Sequence, residues 1–288
     1  MRINTNVASL TAMESNTQVN KSLTSSLEKL SSGLRINKAS DDASGLAIAD
    51  KLRTQASSIA QSISNGNSAV SLLQIADKAM AEQSNILDIV KQKLIQASTN
   101  TTSSAGRVAI AKDIKKLLDQ LNNIAVQTNY NGIQLLQGGT GVNSTSGSVK
   151  LVFQMGETSD NVINSASGVV ANVNGLEIDE LFGIVSTASA TSFSAGVARN
   201  NMGKIDDAIN QLNTWRSDFG STQNQLESAI RNMMTQQTNI KAAESVIRDV
   251  DYAAESANFN KQNIIAQAGT FALSQANQVQ QNVLKLLQ

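Results

Sequence analysis

Histidine, cysteine and proline are all absent from the 288 residues. Without the first two there is no Cys/His zinc site, thiol nucleophile, histidine-based triad, disulfide or histidine-ligated haem. An enzyme would have to work with Asp, Glu, Lys, Ser and Tyr alone. Proline averages about 5% of residues in proteins, and long helices tolerate its absence best, since a proline in a helix interior costs about 3 kcal/mol. Aromatic residues make up only 3%, so the apolar content is Ala, Leu, Ile and Val, which make slender helical seams more readily than a thick globular core.

The 23 Lys and Arg balance the 23 Asp and Glu. Neither sign is gathered into a run that would make a basic face for phosphates, so no nucleic-acid partner is expected. Residues 262–284 carry no charge, but Gln262, Asn263, Gln267, Gln275, Asn277 and Gln278 interrupt them, and a bilayer-spanning helix could not hide so many amides. No Gly-rich phosphate loop stands between a strand and a helix. No cofactor and no metal are expected. Met1 to Asn6 lack the apolar block of a secretory signal, so the expectation is a chain that stays in the cytoplasm or leaves by a route that removes no signal.

What is present is helical periodicity at both ends. Ile264, Ala268, Phe271, Val279, Val283 and Leu286 recur at steps of three and four or their sums, as do Ile3, Val7 and Leu10, and then Leu23, Leu27, Leu30 and Leu34. Chain ends are usually polar and frayed because nothing is gained by ordering them unless they dock. Two apolar ends imply a partner: each other, another copy, or both.

Between the ends the layout is palindromic. A second helix starts near Ser40-Asp41-Asp42, whose side chains suit a helix N-terminus, and carries a seam to about Gln96. Ser98 to Gly106 reverse the chain. Ile110, Ile114, Leu117, Leu121 and Ile124 then alternate steps of four and three up to Asn129-Tyr130-Asn131-Gly132. From Gly138 to about Gly196, Gly, Ser, Thr and Asn dominate; Val149 to Phe153 and Asn161-Val162-Ile163 predict one β-hairpin, and the remainder reads as a poor core former. Helix pattern returns from Ala198 to Val250. Such a chain is predicted to fold back on itself so that its halves lie side by side and its ends meet. Each end helix would then leave apolar surface for stacked copies to cover, as in a polymer.

Leu34-Arg35-Ile36-Asn37-Lys38-Ala39-Ser40-Asp41-Asp42 and the residues onward to Asp50 resemble the N-terminal signature of bacterial flagellins. Gln127 to Gly132 is similar to the end of their second core helix. Ile247 to Ala253, Gln267-Ala268-Gly269 and Ala276 to Leu284 match the family's C-terminal region. The resemblance covers residues 1–138 and about 200–288, and the first hundred residues also resemble flagellins of campylobacter-like bacteria.

The resemblance implies a mainly α fold of long antiparallel coiled-coil helices from both chain halves with one small β-hairpin region. Residues 1–40 and 255–288 would be an inner core, disordered in the monomer, with Ile3, Val7, Leu10, Leu23, Leu27, Leu30, Leu34, Ile264, Ala268, Phe271, Val279, Val283, Leu284 and Leu286 forming the coiled coil that lines the filament channel. Residues 41–163 and 197–254 would be the outer core, with the hairpin at about 149–163, and 164–196 a short surface-exposed loop. Arg35, Ile36, Asn37, Asp41, Asp42 and Gly45 carry the core signature. The implied partners are other copies, a flagellar export chaperone, and hook-associated junction and cap proteins, with export by the flagellar type III route. A hook–filament junction protein is the alternative. Family members detected by the Toll-like flagellin receptor place Arg where this chain has Ile89 and Leu where it has Lys93, with the acidic position kept as Asp113, so weak or no receptor activation is expected.

Local features have plainer readings too. Asp41-Asp42 are adjacent at a helix start and suit capping better than acid–base chemistry. Asp249 and Asp251 beside Arg248 suggest local charge pairing. Trp215 and Tyr252 read as packing residues. The Ser/Thr-rich stretch, including Ser186, Ser189, Thr191, Ser192 and Ser194, is either a solvated loop or a site of O-linked sugars.

Overall fold

From Ser62 to Ala97 the buried positions Ser62, Gly66, Ala69, Leu73, Ala76, Met80, Gln83, Leu87, Val90, Leu94 and Ala97 advance by three and four residues, with Leu72 buried beside Leu73. This is the seam of one uninterrupted helix, and it passes through Asn65-Gly66 because Gly66 serves packing. A Cβ there would lie 2.8 Å from Met155 and 2.9 Å from Ile230. The fold is a computed structural model that describes residues 6–139, 141, 144–148, 150–165, 168–188 and 193–286.

Among the described residues the helices are α1 (Val7–Ser32), α2 (Ala43–Ser98), α3 (Ser104–Gln127), α4 (Asp179–Ser186), α5 (Ala195–Arg248) and α6 (Tyr252–Leu286). None is long and apolar enough to cross a membrane. Side-chain oxygens cap the starts of all of them except α4, whose N-cap Ile178 makes no side-chain cap bond. Asn6 accepts from the Ser9 N–H, Ser103 from Gly106, Asp42 from Gly45 and Ser194 from Val197.

The chain forms two compact units, residues 58–236 and the two ends together, 1–57 with 237–288. The divisions fall inside α2 and α5, at 57/58 and 236/237.

In the 58–236 unit, α2 and α5 run antiparallel. Asp77 meets Arg216 at 2.9 Å, Lys91 pairs with Asp206, and the Ser98 carbonyl accepts from Arg199 at 3.0 Å. These partly exposed pairs fix direction more than they stabilise, at roughly 0–1 kcal/mol each. The expected single hairpin becomes two strand pairs. Strand β3 (Val152–Gln154) pairs with β4 (Val162–Asn164), within the anticipated region apart from its last residue. Strands β1 (Asn129–Tyr130) and β2 (Ile133–Gln134) form a second. Its turn, Asn131-Gly132, has φ of 51° and 82°, the left-handed pair that a two-residue hairpin needs and that Asn-Gly supplies cheaply.

The stretch expected as a surface loop at 164–196 is largely core. Val169, Val173, Leu176, Ile178, Leu181, Val185 and Phe193 are buried, and α4 lies against α3. Buried amides bind its backbone. Gln83 Nε2 donates to the Leu121 and Ala171 carbonyls, and Asn122 Oδ1 accepts from the Val173 N–H at 2.9 Å. Asn172 donates to Gln137 Oε1 and the Ser144 carbonyl and accepts from the Gly175 N–H. A search for apolar periodicity passes over such a segment, because side-chain amides rather than a helical stripe tie it down.

Candidate self-assembly surface

Helices α1 and α6 pack antiparallel within the unit made by the chain ends. Asn6 Nδ2 donates to the Ala276 carbonyl at 3.2 Å, Ser9 Oγ to Asn277 Oδ1 at 3.0 Å, Gly269 lies against Asn16, and Leu34 bridges to Asp249. The seam between them is Ser9, Ala12, Asn16, Val19, Leu23, Ser26 and Leu30 against Glu255, Phe259, Gln262, Ala266, Gly269, Leu273 and Ala276. Both sets step strictly by three and four, which is the signature of a coiled coil. Most members are small or polar, so the axes approach closely but little apolar area is buried.

This corrects the expected seam. Leu23 and Leu30 belong to it. Val7, Leu10, Leu27, Ile264, Ala268, Phe271 and Val279 do not, and are exposed. Phe271 has 74% of its surface open, Ile264 67% and Val7 61%. Leu34 is half-buried at the bridge to Asp249. Met13 and Ile265, not singled out from the sequence, extend the exposed apolar surface. Ile3 and the side chains of Val283, Leu284 and Leu286 lie outside the described residues. The true seam was legible as a three-four repeat of Ala, Ser, Gly and Asn, and a filter for large apolar residues hides it.

The α1–α2 connection shows why its residue types are needed. Ile36 is buried and Gly45 sits where a Cβ would meet Asp42 at 2.5 Å and Ile36 at 2.8 Å. Asn37 Nδ2 donates to Ser32 Oγ at 2.7 Å and to the Glu28 carbonyl near the end of α1. Asp41 Oδ2 accepts from both the Lys38 and Asn37 N–H groups, which hold its carboxyl below the ordinary carboxylate range. Glu28 accepts from Lys38 and raises the pKa of that ammonium. Arg35 donates from its guanidinium to the Ile247 carbonyl.

Residues 3–140 match the family model described as the bacterial flagellin N-terminal helical region, and residues 202–287 the C-terminal one. A flagellin of Bacillus subtilis (strain 168) is 37% identical over 308 positions that take in all of both chains. The chain belongs to the bacterial flagellin family. A 33 kDa flagellar filament core protein of Treponema phagedenis is 32% identical, again over the full length of both. A putative flagellar hook-associated protein of Vibrio parahaemolyticus overlays 72% of this flagellin and 99% of its own chain at a TM-score of 0.59; at 15% identity the likeness is one of fold. As a flagellin the chain is a structural protein and not an enzyme, a subunit of the extracellular filament that polymerises with its own copies.

Other expected residues of this flagellin are placed as follows. Ile89 is exposed, and Lys93 pairs with Asp113 across α2 and α3. Asp249 accepts from Ser245, and Asp251 caps α6 through the Ala253 and Ala254 N–H groups. The nearer carboxylate to Arg248 is Asp50, at 3.7 Å, so the anticipated local pairing is replaced. Trp215 is half-buried, while Tyr252 is exposed and covers Gly33 instead of packing in a core. Ser186 and Ser194 are exposed; Ser189, Thr191 and Ser192 lie outside the described residues.

Proposed function

We propose that the exposed apolar faces of α1 and α6 are the surfaces through which this flagellin polymerises. The carrying observation is that Val7, Leu10, Leu27, Ile264, Phe271 and Val279 are open to solvent although their helices already pair with each other. A neighbour that buries a Leu, Ile or Phe gains roughly 1.5–3 kcal/mol per side chain. A pair held by a small, polar seam gains little when alone, so residues 1–40 and 255–288 stay disordered in the monomer and order at the growing tip, where burial offsets an ordering cost of roughly 1–2 kcal/mol per residue. Unfolded, they suit passage by the flagellar type III route, with an export chaperone covering the C-terminal helix and hook-associated junction and cap proteins meeting the same surfaces. The Bacillus and Treponema relatives align with this chain over the full length of both, which supports a short form without a large outer domain.

Sedimentation of purified monomer after seeding tests the reading. Long polymers are expected, and protein that stays monomeric with seeds would overturn it. The alternative, a hook–filament junction protein, is favoured if the chain caps seeds without elongating them.

A further inference from the structure

We propose that the joint between residues 33–35 and 247–252 sets the register of the α1/α6 coiled coil, and so fixes where the exposed apolar faces stand for a neighbouring copy; the second part rests on the polymer reading above. The need for such a device follows from the seam. Ser9 stands beside Asn277 and Asn16 beside Gly269, and of the fourteen seam residues only Val19, Leu23, Leu30, Phe259 and Leu273 are large and apolar. A slide of one heptad, about 10 Å along a helix, replaces Ser9 by Asn16, Leu23 by Leu30, Glu255 by Gln262 and Gly269 by Ala276, residues of similar character, so the seam's own resistance to it comes from Val19, Phe259 and Leu273. Large knobs that would forbid the slide are few, and register is weakly specified wherever a contact face lacks them.

The joint supplies what the seam lacks. The Arg35 N–H donates to the Arg248 carbonyl at 2.6 Å, and the Val250 N–H donates back to Gly33 at 3.0 Å. Leu34 and Asp249 form an antiparallel bridge between these two bonds. The Arg35 guanidinium adds a bond to the Ile247 carbonyl at 2.6 Å. These partners are backbone groups, so the lock does not depend on side-chain packing. Gly33 closes α1 at φ 74°, and a Cβ there would lie 2.8 Å from Tyr252 Oη at the start of α6. One short joint thus pins the end of α1 to the beginning of α6. Gly33, Arg35 and Tyr252 are positioning residues, distant along both helices from Ser9 and Asn277.

Cysteine pairs can read the register because the chain has no cysteine of its own. Ser9→Cys with Asn277→Cys reports the observed alignment, and Ser9→Cys with Thr270→Cys an alignment one heptad away. Each is oxidised mildly in the full-length chain co-polymerised as a minority with unmodified chains, and the intrachain product is resolved on non-reducing gels. With the joint intact, the 277 pair should dominate. Arg35→Ala and Gly33→Val should each lower the ratio of the two products about tenfold, the factor that one hydrogen bond is worth. Gly33→Asn combined with Tyr252→Phe should keep it, because Asn tolerates the left-handed conformation and the phenol oxygen is gone. Undiminished preference for the 277 pair in both joint variants overturns the proposal. If unmodified chains fail to polymerise, the assembly reading falls, and with it the disorder proposed for the ends of the free chain, so that cross-linking of the free chain then reports the register.

Discussion

The Lys93 ammonium lies 3.2 Å from the Asp113 carboxylate, joining α2 to α3 on a face where Ile89 is also exposed. The arginine and leucine that the resemblance expects at a receptor contact are replaced by Ile89 and Lys93, while the acidic position is kept as Asp113, partly exposed and paired with Lys93. Purified monomer is expected to give little response in Toll-like flagellin receptor reporter cells, and Ile89→Arg with Lys93→Leu should raise it by freeing Asp113 and restoring both contacts. Full potency of the unchanged chain would contradict this.

Phe271 sits on α6 away from the α1 seam. Phe271→Asp should therefore leave helix content by circular dichroism almost unchanged and abolish seeded polymer growth, since a carboxylate would have to be buried by the next subunit. Normal filaments from the variant would show that this face stays solvated.

Asn172 is fully buried with bonds to Gln137, Ser144 and Gly175. Asn172→Ala strands those groups, and the expected loss is about 1–3 kcal/mol, seen as a lower thermal midpoint for the unit formed by residues 58–236. Asn210→Ala on an exposed part of α5 serves as a control and should change the midpoint little.

Asp41 and Lys38 give the α1–α2 connection two titration limits. Asp41 has its pKa lowered in the folded chain, so its contribution is present above the ordinary value of 3.8 and is lost as pH falls through the depressed one. Lys38 has its pKa raised, so its contribution is full below 10.5 and is lost as pH rises through the elevated one. In assembled filaments, where residues 1–40 are ordered, hydrogen exchange of the Asn37 and Lys38 amides should quicken relative to the intrinsic rate at the acid limit, and Asp41→Asn should flatten that dependence.

Much of the fold was legible in the residues. The three-four repeats foretold long helices, and the absence of proline agreed. The β3–β4 hairpin was readable from β propensity. The β1–β2 turn carried the Asn131-Gly132 signal, but its strands of two residues are too short for alternation to show. Residues 168–185 hid their burial because Gln83 and Asn122 anchor their backbone from elsewhere in the chain, and Asn172 reaches out to Gln137 and Ser144. No local pattern reports a partner so distant in sequence.

By itself the sequence determined that this chain is helical, that its two ends are incomplete, and through its motifs that it is a flagellin. Those properties reside in periodicity and residue type, which are local. Only the tertiary structure decided which stripe of each end helix is used within the chain. It placed Ala12, Asn16, Ala266 and Gly269 in the seam and left Val7, Leu10, Ile264 and Phe271 in solvent. Every amphipathic helix has several stripes at the same spacing, and the one that faces its partner is selected by close approach and by where the connecting joint holds the two helices.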